Sequence, residues 1–219
     1  MKHTGILLLS LLFAGITMAQ KVVHDDNVEK RSVGSFSAIE ASSGIEVILT
    51  KGDKEELAVS ANNKDYLPDV RTVVEGGTLK ISRAGDWKIW RQWKNWRVKV
   101  YVSYRHLESL RANSGASVHG ADISLEKLTV RISSGANITL SGNVGYLDVD
   151  GSSGAQFHGY DLSTPNCKAE ASSGAGVRIN VSKEISASAS SGGFVRYKGA
   201  GMIRNINVNS GGAVRRGEG

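Results

Sequence analysis

The chain has 219 residues, of which 26 are glycine and two are proline, and this composition suits a β-protein with turns built from Gly, Ser and Asn. Its single cysteine, Cys167, excludes an internal disulfide framework. The net charge of +6 and pI of about 9.4 favour surface glycans, lipopolysaccharide or acidic envelope proteins as partners and do not indicate specific nucleic-acid binding.

The first nineteen residues have the pattern of a secretory signal peptide. A basic start at Lys2 and His3 precedes an apolar run over residues 6–16 and a small-residue cleavage site ending at Ala19. A membrane anchor is the alternative, but spanning a bilayer needs about 20 apolar residues. We therefore predict cleavage after Ala19 and a mature domain over residues 20–219 with no transmembrane span. Its location would be the periplasm, the outer-membrane surface or the extracellular space.

Residues 20–106 form an irregular first part of the mature chain. A segment around Tyr66–Val70 predicts a loop or a single helical turn. We interpret this part as wider opening rungs that cap a solenoid, with no domain boundary after it. Its predicted strands are Phe36–Ile39, Ile45–Leu49, Leu57–Ser60, Thr78–Ser82 and Val98–Val102.

A tryptophan-rich segment over residues 85–97 joins two of these strands. Its four tryptophans stand three residues apart, and a basic residue directly follows each one. Tryptophan stacks on sugar rings and basic groups pair with anions, so this segment is the first candidate binding site; the alternative is that it packs on the solenoid or covers its end. The candidate residues are Trp87, Lys88, Trp90, Arg91, Trp93, Lys94, Trp96 and Arg97.

Residues 107–216 repeat a tripeptide in which Ser or Asn is followed by Ser-Gly. From Gly115 onward the repeated glycines are 20, 19, 20, 18 and 19 residues apart, and an earlier copy ends at Gly44. A period in this range is typical of a solenoid. We predict rungs of about nineteen residues, with glycine at a corner of positive φ and the preceding serine hydroxyls forming a ladder.

Aligning the repeats on their glycines reveals alternating columns of apolar and polar residues. Alternation with a period of two indicates strands with one buried face. Cys167 falls in a column with Leu128, Leu147 and Ile185, which predicts a buried thiol acting as a small hydrophobe. The prediction is an all-β, parallel β-solenoid.

An outward column four residues after each glycine forms a predicted basic ridge. It could bind anionic polysaccharide, although a solvated edge that prevents aggregation is the simpler interpretation. Two of its histidines are separated by a whole rung, about 10 Å, so we predict no metal site and no cofactor. The column consists of His119, Thr139, His158, Arg178, Arg196 and Arg215.

The segment Gly34–Thr50, the strand Val98–Val102 before Leu107–Leu110, and the serial Ser-Gly-Ala corners resemble the head GIN domain family. These are autotransporter-adhesin heads of Bacteroidetes-type envelopes. The Gly-Ile-Asn of the family reads Gly44-Ile45-Glu46 here, and Arg105-His106 stands where the family tends to have proline. The resemblance implies a right-handed β-solenoid and an adhesin-like role in cell adhesion.

Three functions are therefore open. The first is a non-enzymatic surface protein that binds glycans, anionic polymers or another envelope protein. The second is a structural envelope component that associates with itself. The third is a polysaccharide lyase or hydrolase, for which Asp148, Asp150 and Glu170 share a face with Arg131 and Lys168. The alternating signs on that face favour a solvated sheet, so we predict no catalytic residues and no enzyme activity.

Overall fold

The computed structural model describes residues 27–84 and 96–217, and these form a β-solenoid of about five turns. The predicted signal peptide lies outside the described residues. One 3₁₀ helix, η1, covers Lys64–Asp69, where the sequence predicted a loop or a helical turn. The strands are β1 Val28–Arg31, β2 Ala38–Ala41, β3 Glu46–Lys51, β4 Glu56–Ala61, β5 Val70–Glu75, β6 Thr78–Arg83, β7 Val98–Tyr104, β8 Ser109–Ala112, β9 Ser117–Ile132, β10 Asn137–Gly151, β11 Gln156–Ala171, β12 Gly176–Ala189, β13 Phe194–Lys198, β14 Met202–Val208 and β15 Ala213–Arg216.

The strands stack in two series that share the long strands β9 to β12. One series runs β1-β4-β7-β3-β9-β10-β11-β12-β13-β15, and the other runs β5-β6-β2-β8-β9-β10-β11-β12-β14. Pairing from β9 onward is parallel, which confirms the predicted parallel solenoid. Each long strand bends between the two series, and the register shifts at that bend, as it does at Gly142 in β10.

The Ser-Gly repeats form a stack of tight turns. Ser114 and Gly115 have φ of 50° and 74°, and the N–H of Ala116 donates to the carbonyl of Asn113 at 3.1 Å, as in a type I′ turn. The N–H of Gly115 donates to the carbonyl of Ser134 in the next turn at 3.1 Å. The same bond joins each turn to the next, so the ladder that links the turns runs through the backbone rather than through the serine hydroxyls we expected.

The predicted apolar columns form the interior. Ile138, Phe157 and Val177 lie side by side on consecutive rungs and are fully buried. Cys167 pairs in register with Leu147 and Ile185 and is buried as a free thiol. Burial raises the pKa of this thiol, so it stays protonated and inert. Each rung therefore depends on its neighbours for burial of its apolar side.

The N-terminal end is closed by antiparallel strands, where the sequence suggested only wider parallel rungs. Strand β4 pairs antiparallel with β7 and is covered by β1, while β5 pairs antiparallel with β6. Arg31 of β1 donates to the carbonyls of Leu67 (2.6 Å) and Val70, and it therefore ties the two strand series together. The antiparallel end strands therefore cover the outermost parallel strands at this end of the solenoid.

Candidate functional site

The predicted basic ridge is a single line of in-register residues. His119 pairs with Thr139, Thr139 with His158, and the pairing continues from His158 through the arginines. Arg178 pairs with Arg196, and Arg196 pairs with Arg215. Three guanidinium groups therefore come from three consecutive rungs, at a rung spacing of about 4.8 Å.

We call the surface that carries this line the basic face, defined by residues 117–120, 137–140, 156–160, 176–180, 194–198 and 213–216. These six stretches contain no aspartate or glutamate. Arg196 and Arg215 are exposed, while His158 and Arg178 are half-buried. Without acidic neighbours, the positive charges of the arginines are not neutralised within the face and are available to an anionic ligand.

An aromatic ring lies among these arginines. The guanidinium carbon of Arg178 is 5.0 Å from the centre of the Phe194 ring, and that of Arg196 is 5.2 Å from it. Arg178 also donates to Oε1 of Gln156 at 3.1 Å, which fixes one side of the arrangement. A small concave surface of about 210 Å³ adjoins the ring and is lined by Phe194, Arg196 and Arg215, among others.

The position of Phe194 depends on a glycine. Gly176 pairs with Phe194, and a Cβ atom added at Gly176 would come within 2.4 Å of the ring. The neighbouring outward position on β11 carries Gln156. The ring therefore lies over the space that a side chain at position 176 would otherwise fill. A larger residue there would displace it.

A second aromatic–cation pair lies on the same face. The ammonium nitrogen of Lys198 is 5.4 Å from the centre of the Tyr160 ring. Our sequence analysis named the charged column but missed Phe194, Tyr160 and Gly176. The available signal was a glycine at an outward strand position followed, one rung later, by an aromatic residue.

His158 is the titratable group of this surface. Burial and the adjacent charge of Arg178 both lower its pKa below the ordinary value of 6.5. His158 is therefore neutral at neutral pH and gains a charge only in acid. Since Thr139 stands between His119 and His158, the two histidines do not share a metal position. Within residues 27–84 and 96–217, no group of three or more His, Cys, Asp or Glu side chains is placed to hold a metal ion.

A second surface of the same rungs carries the carboxylates that the enzyme hypothesis considered, and they are ion-paired. We call it the paired face, defined by residues 127–132, 146–151, 166–171 and 184–189. Arg131 donates to the Asp148 carboxylate at 3.0 Å and lies 3.9 Å from that of Asp150. Lys168 lies 2.9 Å from Glu170. Opposite charges on the same rung or on neighbouring rungs thus neutralise one another, as expected for a solvated sheet surface.

The tryptophan-rich segment lies mostly outside the described residues: Trp87, Lys88, Trp90, Arg91, Trp93 and Lys94 are not among them. Trp96 is half-buried against the core, with its ring centre 5.1 Å from that of Tyr66 and 4.8 Å from the Arg83 guanidinium. The backbone N–H of Arg97 donates to Asn62 at 3.1 Å. Trp96 therefore packs at the closed end, and a binding role for the segment stays a prediction.

A broad, open hollow of about 750 Å³ lies at another corner of the first rungs. It is lined by groups of both signs, including Lys51, Asp53, Glu55 and Arg105. This mixture lacks the single sign of charge that distinguishes the basic face. No helix within the described part of the chain is long and apolar enough to cross a membrane.

The fold and surface define a parallel β-solenoid with one uniformly basic face. Residues 35–201 match the family described as "Putative auto-transporter adhesin, head GIN domain". The chain belongs to this family, as the sequence resemblance predicted. A search among curated proteins gave no match.

Solved structures similar to this chain include proteins from Bacteroides and Parabacteroides species. A "putative adhesin" from Bacteroides fragilis aligns with a TM-score of 0.61 and 14% identity over 86% of this chain and 95% of that one. A "putative adhesin" from Parabacteroides merdae aligns with a TM-score of 0.49 and 14% identity over 87% and 95%. A "putative lipid binding protein" from Parabacteroides distasonis aligns with a TM-score of 0.46 and 16% identity over 88% and 98%. The family description supports an adhesin-like surface protein.

Proposed function

We propose that the mature protein is an exported, non-enzymatic adhesin-like module that binds acidic polysaccharide through its basic face. The observation that carries this proposal is the stack of Arg178, Arg196 and Arg215, with the Phe194 ring centre 5.0 Å and 5.2 Å from the guanidinium carbons of Arg178 and Arg196. The family supports a surface role, and the acid-free surface supports an anionic ligand.

The chemistry of the face suits a sugar acid. A phenyl ring offers a flat apolar surface to the C–H side of a pyranose ring. Arginine can bind a carboxylate or sulfate through two parallel hydrogen bonds, which gives geometric specificity as well as attraction. Repetition at one rung spacing lets a polymer with regularly placed charges contact several arginines at once, so weak individual contacts add up.

The test is binding of residues 20–219 to immobilised polyuronate and sulfated polysaccharide, with a neutral glucan as reference. We expect saturable binding to an acidic polymer that weakens as salt is added. The double variant Arg196→Gln/Arg215→Gln should weaken it by about tenfold or more, because two charge-assisted contacts are lost.

The matched control is Arg111→Gln/Lys127→Gln, which removes the same net charge from exposed positions away from the basic face. Retained binding in this control would assign the site to the basic face. Equal losses in both variants would show that overall charge alone attracts the polymer, and the proposal would be wrong. Circular dichroism establishes that each variant is folded.

The tryptophan-rich segment is a second proposed contact, resting on its sequence alone. A variant with Trp87, Trp90 and Trp93 changed to alanine, and with Trp96 kept because it packs on the core, separates this contact from the basic face. Reduced binding to a neutral or acidic glycan would support it. Unchanged binding to every glycan would assign recognition to the basic face alone.

A further inference from the structure

The C-terminal rung leaves apolar side chains uncovered. The exposed fractions are 50% for Ile203, 40% for Ile206 and 44% for Val208, and Met202 is 70% exposed. Three of these residues continue interior columns, since Ile203 pairs with Ile185, Ile206 with Ala187 and Val208 with Ala189. They are exposed because no rung of the described chain follows to cover them.

The backbone of this rung is also open on one side. Among the described strands, β14 pairs only with β12 and β15 only with β13. Every second N–H and C=O group along β14 therefore points away from the solenoid. Such an edge is a template for another strand.

The N-terminal end is a poorer match for this edge. Its end strands β1 and β5 also pair on one side only among the described strands, but β1 carries the charged residues Glu29, Lys30 and Arg31, and Arg31 is held by the carbonyls of Leu67 and Val70. The two ends of the solenoid therefore differ in the side chains that they present. The open edge is thus best matched by an edge of its own kind.

The types of residue along the edge are arranged symmetrically about its centre. The sequence Asn205-Ile206-Asn207-Val208-Asn209 alternates amide and aliphatic side chains symmetrically about Asn207. Two copies in antiparallel pairing about Asn207 would place Asn205 opposite Asn209 and Ile206 opposite Val208. Directly opposite residues on antiparallel strands point to the same side, so apolar residues would meet in the interior and amides outside.

We propose that the protein forms a two-fold symmetric dimer through its C-terminal rung, with β14 of one copy pairing antiparallel with β14 of the other about Asn207. The contact continues the hydrophobic interior across the junction and satisfies the open backbone edge. The contact is two-fold and uses the same β14 edge of both copies, so it produces closed dimers rather than filaments. This inference is independent of the proposed glycan binding.

Sedimentation velocity over a hundredfold range of protein concentration tests the dimer. Position 207 lies on the two-fold axis, so Asn207→Lys brings two like charges together, as does Asn207→Asp. We expect each variant alone to have a dimer dissociation constant about tenfold or more above that of the wild type. Mixing the two variants pairs opposite charges and should restore a dimer that contains one copy of each.

The matched control is Asn143→Lys, which adds the same charge at an exposed asparagine in the middle of the solenoid. It should dimerise as the wild type does. A wild type that is monomeric throughout, open-ended oligomers, or a mixture that dimerises no better than either variant alone would each overturn the proposal. Circular dichroism of the variants excludes misfolding as the cause of a lost dimer.

Discussion

The basic face and the paired face are made by the same rungs, yet their charges are organised in opposite ways. On the paired face, Arg131 lies between Asp148 and Asp150, so the charges of successive rungs cancel. On the basic face, Arg178, Arg196 and Arg215 stand on adjacent rungs with no carboxylate among them. Repulsion among like charges opposes folding, whereas cancellation supports it. A surface that gives up this local stabilisation is the better candidate for a ligand.

The largest expected effect comes from breaking the bend that joins the two faces. Gly142 has φ of 118°, and a Cβ atom there would lie 2.2 Å from the carbonyl oxygen of Ile123. Gly142→Ala should therefore lower the free energy of unfolding by about 3 kcal/mol or more, because both the backbone angle and the space forbid a side chain. Chemical denaturation monitored by circular dichroism measures this change.

Gly135→Ala is the control for this variant. Gly135 has φ of 70°, and a Cβ atom there would meet nothing within 4 Å. Only the unfavourable left-handed conformation remains, and its cost is about 1 kcal/mol. Similar losses in the two variants would mean that the bend is not a tight contact between adjacent rungs.

A smaller effect is expected when an arginine is replaced on each face and the changes in the free energy of unfolding are compared. Arg131→Met removes the contacts with Asp148 and Asp150 and should lower the free energy of unfolding by about 1 kcal/mol. Arg196→Met removes a charge that faces other arginines, so stability should change by less than about 0.5 kcal/mol. Thermal denaturation of the pair checks this difference, and an equal loss in both would contradict the contrast between the faces.

The smallest expected effect is the pH dependence of polyanion binding. The pKa of His158 lies below 6.5 because of burial and Arg178, so folding stability contributed by the neutral ring is lost as the pH falls through that lowered value. A bound polyanion favours the charged ring, and binding should therefore strengthen in acid. The measured quantity is the ratio of the polyanion affinities below and above pH 6.5. His158→Asn should make this ratio about twofold to threefold smaller.

Sequence periodicity predicted the repetitive part of the fold because each rung repeats the same physical requirement. The glycine at the corner, the small residue after it and the buried position of Cys167 all follow from stacking equal rungs. The antiparallel pairing at the N-terminal end could not be predicted in this way, because β1 and β5 contain no copy of the repeat. Their direction depends on which strand edge of the folded solenoid they cover.

The sequence by itself determined the parallel solenoid, its interior columns and the line of basic residues, because side-chain alternation and the Ser-Gly period act locally on every rung. Only the tertiary structure decided that Phe194 lies over Gly176 and beside two arginines, and that β14 leaves the apolar column of the last described rung uncovered. Both features depend on contacts between rungs about nineteen residues apart, where the identity of the neighbour, rather than the local pattern, sets what each side chain meets.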